Sequence, residues 1–116
     1  MKNEVYEQSK RFALRIVKLQ QYLKNEKKEY VLSKQILRSG TSIGANVSES
    51  CAAESRPDFI HKLQIALKEC CETRYWLELL YAAGYLTKKQ FCSLYSDSTA
   101  LYRLLTSILK TMKNED

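Results

Sequence analysis

One histidine, four cysteines and a scatter of carboxylates are the side chains of this chain that could carry acid–base, nucleophilic or metal chemistry. His61 stands among Asp58, Lys62 and Gln64, a setting that suits a surface residue better than a base or a ligand. A di-iron bundle needs Glu-x-x-His twice plus further carboxylates, and a single histidine rules that set out. Cys51, Cys70, Cys71 and Cys92 fit neither a CxxC pair nor a zinc-ligand spacing. Adjacent Cys70 and Cys71 cannot share one helix face, so the cysteines read as small fillers of core or surface in a reducing compartment. Glu49, Glu69 and Glu72 could pair across helices as acid–base groups or metal ligands. Ion pairing with Arg38, Arg15 or Arg74 is the simpler expectation, and such pairs fix register while adding little net stability. No nucleophile-elbow, Walker or HExxH spacing occurs. The expectation is a protein that is not an enzyme and needs no cofactor or metal.

Two further patterns bear on binding. The run from Arg38 to Asn46 holds Gly40 and Gly44 among hydroxyl side chains. A phosphate-cradling loop would need a preceding strand and a lysine after the glycines, and neither is present. The small residues instead let another helix approach closely at Gly40 and Gly44. The second pattern is Arg11, Arg15 and Lys18, spaced i, i+4, i+7, with Tyr22 beyond them. On a helix these cations form one row with neighbours ~5–6 Å apart, which roughly tracks successive phosphates of a strand. Basic side chains interleaved with an aromatic suit single-stranded nucleic acid.

The charge supports that row without deciding it. The net charge is +6, and the pI is about 9.2. Residues 1–28 carry +5, 29–56 balance, 57–86 carry −1 and 87–116 carry +2. A localised basic excess implies an acidic partner such as nucleic acid or an acidic protein, or else a solvated, solubilising surface.

These residues must be positioned by helices. With three glycines and one proline in 116 residues, and 45% apolar residues, the chain has few breakers and enough material for a core. Val5, Ser9, Phe12, Ile16, Leu19 and Leu23 alternate at spacings of four and three, predicting a helix over 3–28. Leu32, Ile36, Ser39, Ile43, Val47 and Ser50 predict a second over 30–54. The third, over 57–83, starts at the Ser55-Arg56-Pro57-Asp58 cap, has its seam through Phe59, Leu63, Ala66, Cys70, Thr73, Leu77 and Leu80, and stops at Gly84. The fourth, over 87–113, opens with the capping box Thr87-Lys88-Lys89-Gln90 and carries Phe91, Leu94, Ser98, Leu101, Leu105, Ile108 and Met112. Short links between such helices predict one domain, an all-α, antiparallel up-down four-helix bundle. No apolar run approaches the ~20 residues that span a bilayer, and Met1-Lys2-Asn3-Glu4 lacks a signal-peptide core, so the expected place is the cytoplasm.

The third segment has a second stripe. Ile65, Glu69, Glu72, Trp76 and Leu79 lie away from its seam. A tryptophan flanked by Ile65 and Leu79 on a surface is typical of an interface, so homo-oligomerisation through Ile65, Trp76 and Leu79 is expected. Leu14 and Val17 lie likewise off the first seam, beside the basic row.

The run Tyr30-Val31-Leu32-Ser33-Lys34-Gln35-Ile36-Leu37-Arg38-Ser39-Gly40-Thr41-Ser42-Ile43-Gly44-Ala45-Asn46, with Asp58-Phe59-Ile60-His61-Lys62-Leu63-Gln64-Ile65-Ala66-Leu67-Lys68-Glu69, Glu72 and Tyr75-Trp76-Leu77, resembles a known family. It is the "four helix bundle protein" family, also called the 23S rRNA intervening-sequence protein or S23 ribosomal protein family. Ser48 departs from the family's usual alanine before Glu49, and Cys70-Cys71 replaces an alanine-rich step. The resemblance covers about residues 8–112. It implies a bacterial cytoplasmic bundle related to reading frames within rRNA intervening sequences. It also implies kinship with the accessory variability protein of diversity-generating retroelements, a basic pentameric ring that binds nucleic acid and a reverse transcriptase. The partners expected by resemblance are therefore further copies of the chain in a ring such as a pentamer, RNA or DNA, and a reverse transcriptase. No catalytic residues carry over.

Overall fold

A computed structural model describes residues 3–114. Met1, Lys2, Glu115 and Asp116, which contribute to the N-terminal reading and to the charge of the end segments, lie outside the described residues. The described chain folds into four helices: α1 (Glu4–Asn25), α2 (Leu32–Ser50), α3 (Arg56–Ala82) and α4 (Lys88–Asn114). It is an all-α four-helix bundle. Each helix packs on the next in sequence, and α1 closes the square against α4, the least intimate of the four helix pairs. Cross-helix contacts run antiparallel: Ile16 meets Gly40 while Ser9 meets Gly44, and Arg38 meets Glu69 and Glu72 while Glu49 meets Lys62.

The ends of the helices follow local chemistry. Ser55 Oγ accepts from the Asp58 N–H at 3.2 Å and starts α3 with Pro57 in its first turn. Thr87 Oγ1 accepts from the Gln90 N–H at 3.1 Å, and Gln90 Oε1 accepts from the Thr87 N–H at 2.8 Å, a reciprocal capping box. α3 ends in a Schellman motif: Gly84 takes φ +87°, its N–H reaches Tyr81 O at 3.1 Å, and the Tyr85 N–H reaches Leu80 O at 2.9 Å.

Two helices are shorter than the sequence pattern predicts. α1 stops at Asn25 rather than 28 because Lys28 takes φ +54° and the Glu29 N–H turns back to Leu23 O at 2.9 Å. α2 begins at Leu32 rather than 30, under a cap from buried Glu29. The Glu29 carboxylate accepts from the N–H groups of Val31, Leu32 and Ser33 at 3.3, 3.1 and 2.8 Å, satisfying donors that a helix start leaves open. α2 ends at Ser50 rather than 54, with a turn at Cys51 and Ala52.

The core follows the seam read from the sequence for all of α1 and most of the other helices. Leu32, Phe59, Phe91, Ile108 and Met112, however, are only half-buried, and in α4 the step from Leu105 is four residues, to Leu109, rather than three, to Ile108. Ile16, Leu23, Ile36, Ile43, Leu63, Leu77, Leu80, Leu101 and Leu105 are essentially fully enclosed. Each such side chain is worth ~1.5–3 kcal/mol relative to exposure. Midway along, the seam turns small and polar: Ser9, Ser39, Thr73 and Ser98 are buried, one from each helix. Their hydroxyls find partners inside. Thr73 Oγ1 lies 2.9 Å from Ser39 Oγ and 2.8 Å from Glu69 O, and Ser98 Oγ donates to Tyr95 O at 2.7 Å.

Candidate functional site

The positive excess of the described chain is carried by α1 and α4. α1 carries Lys10, Arg11, Arg15, Lys18 and Lys24 against Glu4 and Glu7. α4 carries Lys88, Lys89, Arg103, Lys110 and Lys113 against Asp97 alone. α2 and α3 together are nearly balanced, with six cations against five acids. Since α1 and α4 are neighbours, the two most basic helices lie side by side.

The row Arg11, Arg15, Lys18 lies along the shallow α1–α4 groove. Arg11 and Lys18 are exposed, and no acidic side chain lies in ion-pair range of either among the described residues. Arg15 differs. Its Nη1 donates to Asp97 Oδ2 at 2.6 Å and to Ser93 O at 3.3 Å, and its Nη2 donates to Ser93 Oγ at 2.9 Å. The middle cation of the row thus ties α1 to α4, and the outer two face solvent.

Two recesses flank this tie. One of about 340 Å³ is lined by Arg15, Lys18, Leu19, Tyr22, Gln90 and Leu94. The other, about 140 Å³, is lined by Gln8, Arg11, Phe12, Asp97 and Ala100. The Gln8 Oε1 beside the second is buried without a hydrogen-bond partner, so that wall has an acceptor to spare. Leu14, at 57% exposure, stands among the cations of α1 as an apolar contact for whatever covers them.

The Ile65, Trp76, Leu79 stripe sits on α3, with all three side chains half-buried. Trp76 packs against the core, and its Nε1–H donates to Glu72 Oε2 at 2.9 Å. Glu72 also accepts from Arg38 Nη2, and Arg38 Nη1 reaches Glu69 Oε1 at 3.2 Å. The Trp76 and Arg38 donors hold the Glu72 carboxyl below its ordinary value, and the Glu72 hydrogen bond raises Arg38 despite some desolvation. Of the acids considered as catalytic or ligand groups, Glu69 and Glu72 therefore pair with Arg38, and Glu49 pairs with Lys62 Nζ at 3.0 Å. No group of three or more His, Cys, Asp or Glu side chains is arranged to hold a metal among the described residues.

Gly40 and Gly44 both face α1. A Cβ on Gly40 would stand 2.7 Å from Ile16 Cγ2, whereas one on Gly44 would come no nearer than 3.5 Å to Ser9. The close approach is at Gly40.

The sequence reading missed a third constellation. The Arg74 guanidinium lies over the Tyr95 ring at 4.4 Å and the Tyr102 ring at 5.2 Å. Phe91 stacks on Tyr95 at 4.9 Å and Tyr81 on Phe91 at 4.6 Å, continuing the ladder up the α3–α4 face. Tyr95 and Tyr102 are spaced i, i+7, one face of α4, which was the available signal.

The family model of the 23S rRNA-intervening sequence protein matches residues 1–107. The chain belongs to this family. It is also similar to a crystal structure of a protein with unknown function from the S23 ribosomal protein family of Bacteroides thetaiotaomicron, with 58% sequence identity and a TM-score of 0.91. That match covers 92% of this chain and 99% of the other. No curated protein matches the chain. Among the described residues, no helix is long and apolar enough to cross a membrane.

Proposed function

We propose that this member of the 23S rRNA-intervening sequence protein family is a non-enzymatic accessory protein that self-associates and binds RNA or DNA through its α1–α4 face. The observation that carries the reading is the placement of Arg11 and Lys18, exposed on the joined basic helices and without acidic partners there. Arg15 holds the groove in shape through Asp97 and Ser93. One protomer offers few phosphate contacts and binds weakly. A ring of copies, such as the pentamer the family resemblance implies, repeats the row and gains affinity through effective concentration. In that setting a reverse transcriptase or another nucleic-acid enzyme is a natural partner.

The experiment is charge reversal at Arg11→Glu and Lys18→Glu together, read by retention of RNA and DNA and by mass from light scattering. Nucleic-acid retention is expected to weaken sharply while the mass stays that of the wild type. Loss of the oligomer instead would place these cations in a contact between protomers.

The second reading is a scaffold for protein–protein contacts alone, favoured by exposed Leu14 and by the Ile65, Trp76, Leu79 stripe. Glu69 and Glu72 on that stripe already serve Arg38, so a neighbour's cations would have to displace it. Trp76→Glu should dissociate the oligomer and leave helix content largely intact; a monomeric wild type at micromolar concentration would remove self-association from both readings.

A further inference from the structure

We infer that the concave site around Arg74, on the α3–α4 face, is a stacking subsite for single-stranded nucleic acid, with a base lying on Tyr75 and a phosphate at the Arg74 guanidinium. The inference rests on the nucleic-acid reading above and assigns the bases a second place, apart from Tyr22 at the end of the basic row.

The site is a hollow of about 250 Å³ lined by Cys71, Arg74, Tyr75, Glu78, Tyr95 and Tyr102. Arg74 is four residues from Glu78 on the same helix, within reach of an i, i+4 ion pair, yet its guanidinium lies on the Tyr95 and Tyr102 rings. The guanidinium carbon sits over both rings, and its N–H groups have no hydrogen-bond acceptor among the described residues. A planar donor fork held in this way matches the oxygens of a phosphate. Glu78 is held by the Tyr95 hydroxyl, which donates to Oε2 at 2.7 Å, and Oε1 is left as an acceptor for a base amino group. Because of that carboxylate the site disfavours a bare anion and suits a nucleotide, whose base can use it. Tyr75, 56% exposed, supplies the open ring face, and every base has a face to lay on it.

The path between the two sites is clear of negative charge. On a 100°-per-residue wheel, Ser96, Arg103, Ser107 and Lys110 occupy the outer face of α4, between the α1 side and the α3 side. The one acid of α4, Asp97, is neutralised by Arg15. A strand leaving the Arg11–Lys18 row needs to cross only one helix, ~10–12 Å wide, to reach Arg74.

The test uses fluorescence anisotropy with a labelled single strand of about a dozen nucleotides and an abasic sugar–phosphate strand of equal length. Tyr75→Ala should weaken binding of the base-bearing strand by roughly five- to a hundredfold and leave the abasic strand unchanged. Arg74→Lys, which keeps the charge and loses the planar fork, should weaken both strands. Trp76 is the only tryptophan and meets Tyr75 edge-on at 5.1 Å, so its emission should change on adding the base-bearing strand and not the abasic one. Tyr75 is exposed, so its truncation leaves the fold intact. If the wild type binds with salt dependence but Tyr75→Ala and Arg74→Lys bind equally well, the stacking subsite is overturned and the basic-face reading stands. If the wild type binds neither strand, both fall.

Discussion

Arg15 and Asp97, 82 residues apart in sequence, meet at 2.6 Å across the loosest seam of the bundle. Both side chains are substantially exposed, at 39% and 50%, so the pair by itself contributes little. The two further hydrogen bonds to Ser93 make Arg15 a three-point tie.

Arg15→Ala should therefore lower stability by about 1 kcal/mol, or roughly 4 °C in Tm. Arg11→Ala, on the same row without such partners, should stay within about 0.5 kcal/mol of the wild type. Thermal melts of the two variants compare them directly; equal melting temperatures would show that the tie does not hold α1 to α4.

Gly40→Ala and Gly44→Ala should move stability in opposite directions. At Gly40 the new methyl meets Ile16, which is β-branched, fully buried and unable to yield, so overpacking of ~1–3 kcal/mol outweighs the ~1 kcal/mol gained in helix propensity. At Gly44 the nearest atom, at 3.5 Å, is an ordinary contact, and the propensity gain of up to ~1 kcal/mol remains. Denaturant midpoints of the two variants decide it; stabilisation by Gly40→Ala would mean that α1 can retreat.

Much of this architecture was legible in the sequence. The seam positions of α1, Val5 through Leu23, are the buried residues of that helix, because a 3.6-residue period leaves little choice of face. Caps at Ser55 and Thr87 were legible for the same local reason. The helix ends near 26–31 were not, since nothing in the composition of Lys27-Lys28 announces the left-handed Lys28 or the cap from Glu29. Nor were the partners of the basic residues. Arg15 chooses Asp97, and Arg74 chooses two tyrosines over Glu78, and both choices depend on how α4 lies against its neighbours.

Acid should weaken the fold partly through Glu72. Its carboxyl is held below the ordinary value by the hydrogen bond from Trp76 and then by Arg38. A depressed folded-state pKa means the unfolded chain takes up the proton first. The contribution is thus complete above the unfolded value of 4.5 and is lost as pH falls through the folded one. Glu72→Gln should flatten the decline of unfolding free energy below about pH 4.5. Parallel profiles for variant and wild type would remove Glu72 from the account.

Thiol chemistry should separate the four cysteines. Burial pushes the Cys70 thiol up to about 12, and its Sγ lies 3.6 Å from Ser98 O. Cys51, Cys71 and Cys92 are exposed. In a native thiol titration these three should react and Cys70 only after denaturant is added; four equivalents reacting at the same rate would contradict the closed core.

The measurement closest to the central claim is the salt dependence of binding to single-stranded nucleic acid, for the wild type and for the Arg11→Glu, Lys18→Glu variant. Each phosphate contact contributes ~0.7 to the slope of log affinity against log salt on a single strand. The account predicts a steep slope for the wild type and a variant slope shallower by about 1.4 for each protomer engaged, at unchanged oligomeric mass. Identical slopes for the two proteins, or a wild type whose affinity ignores salt, would contradict it.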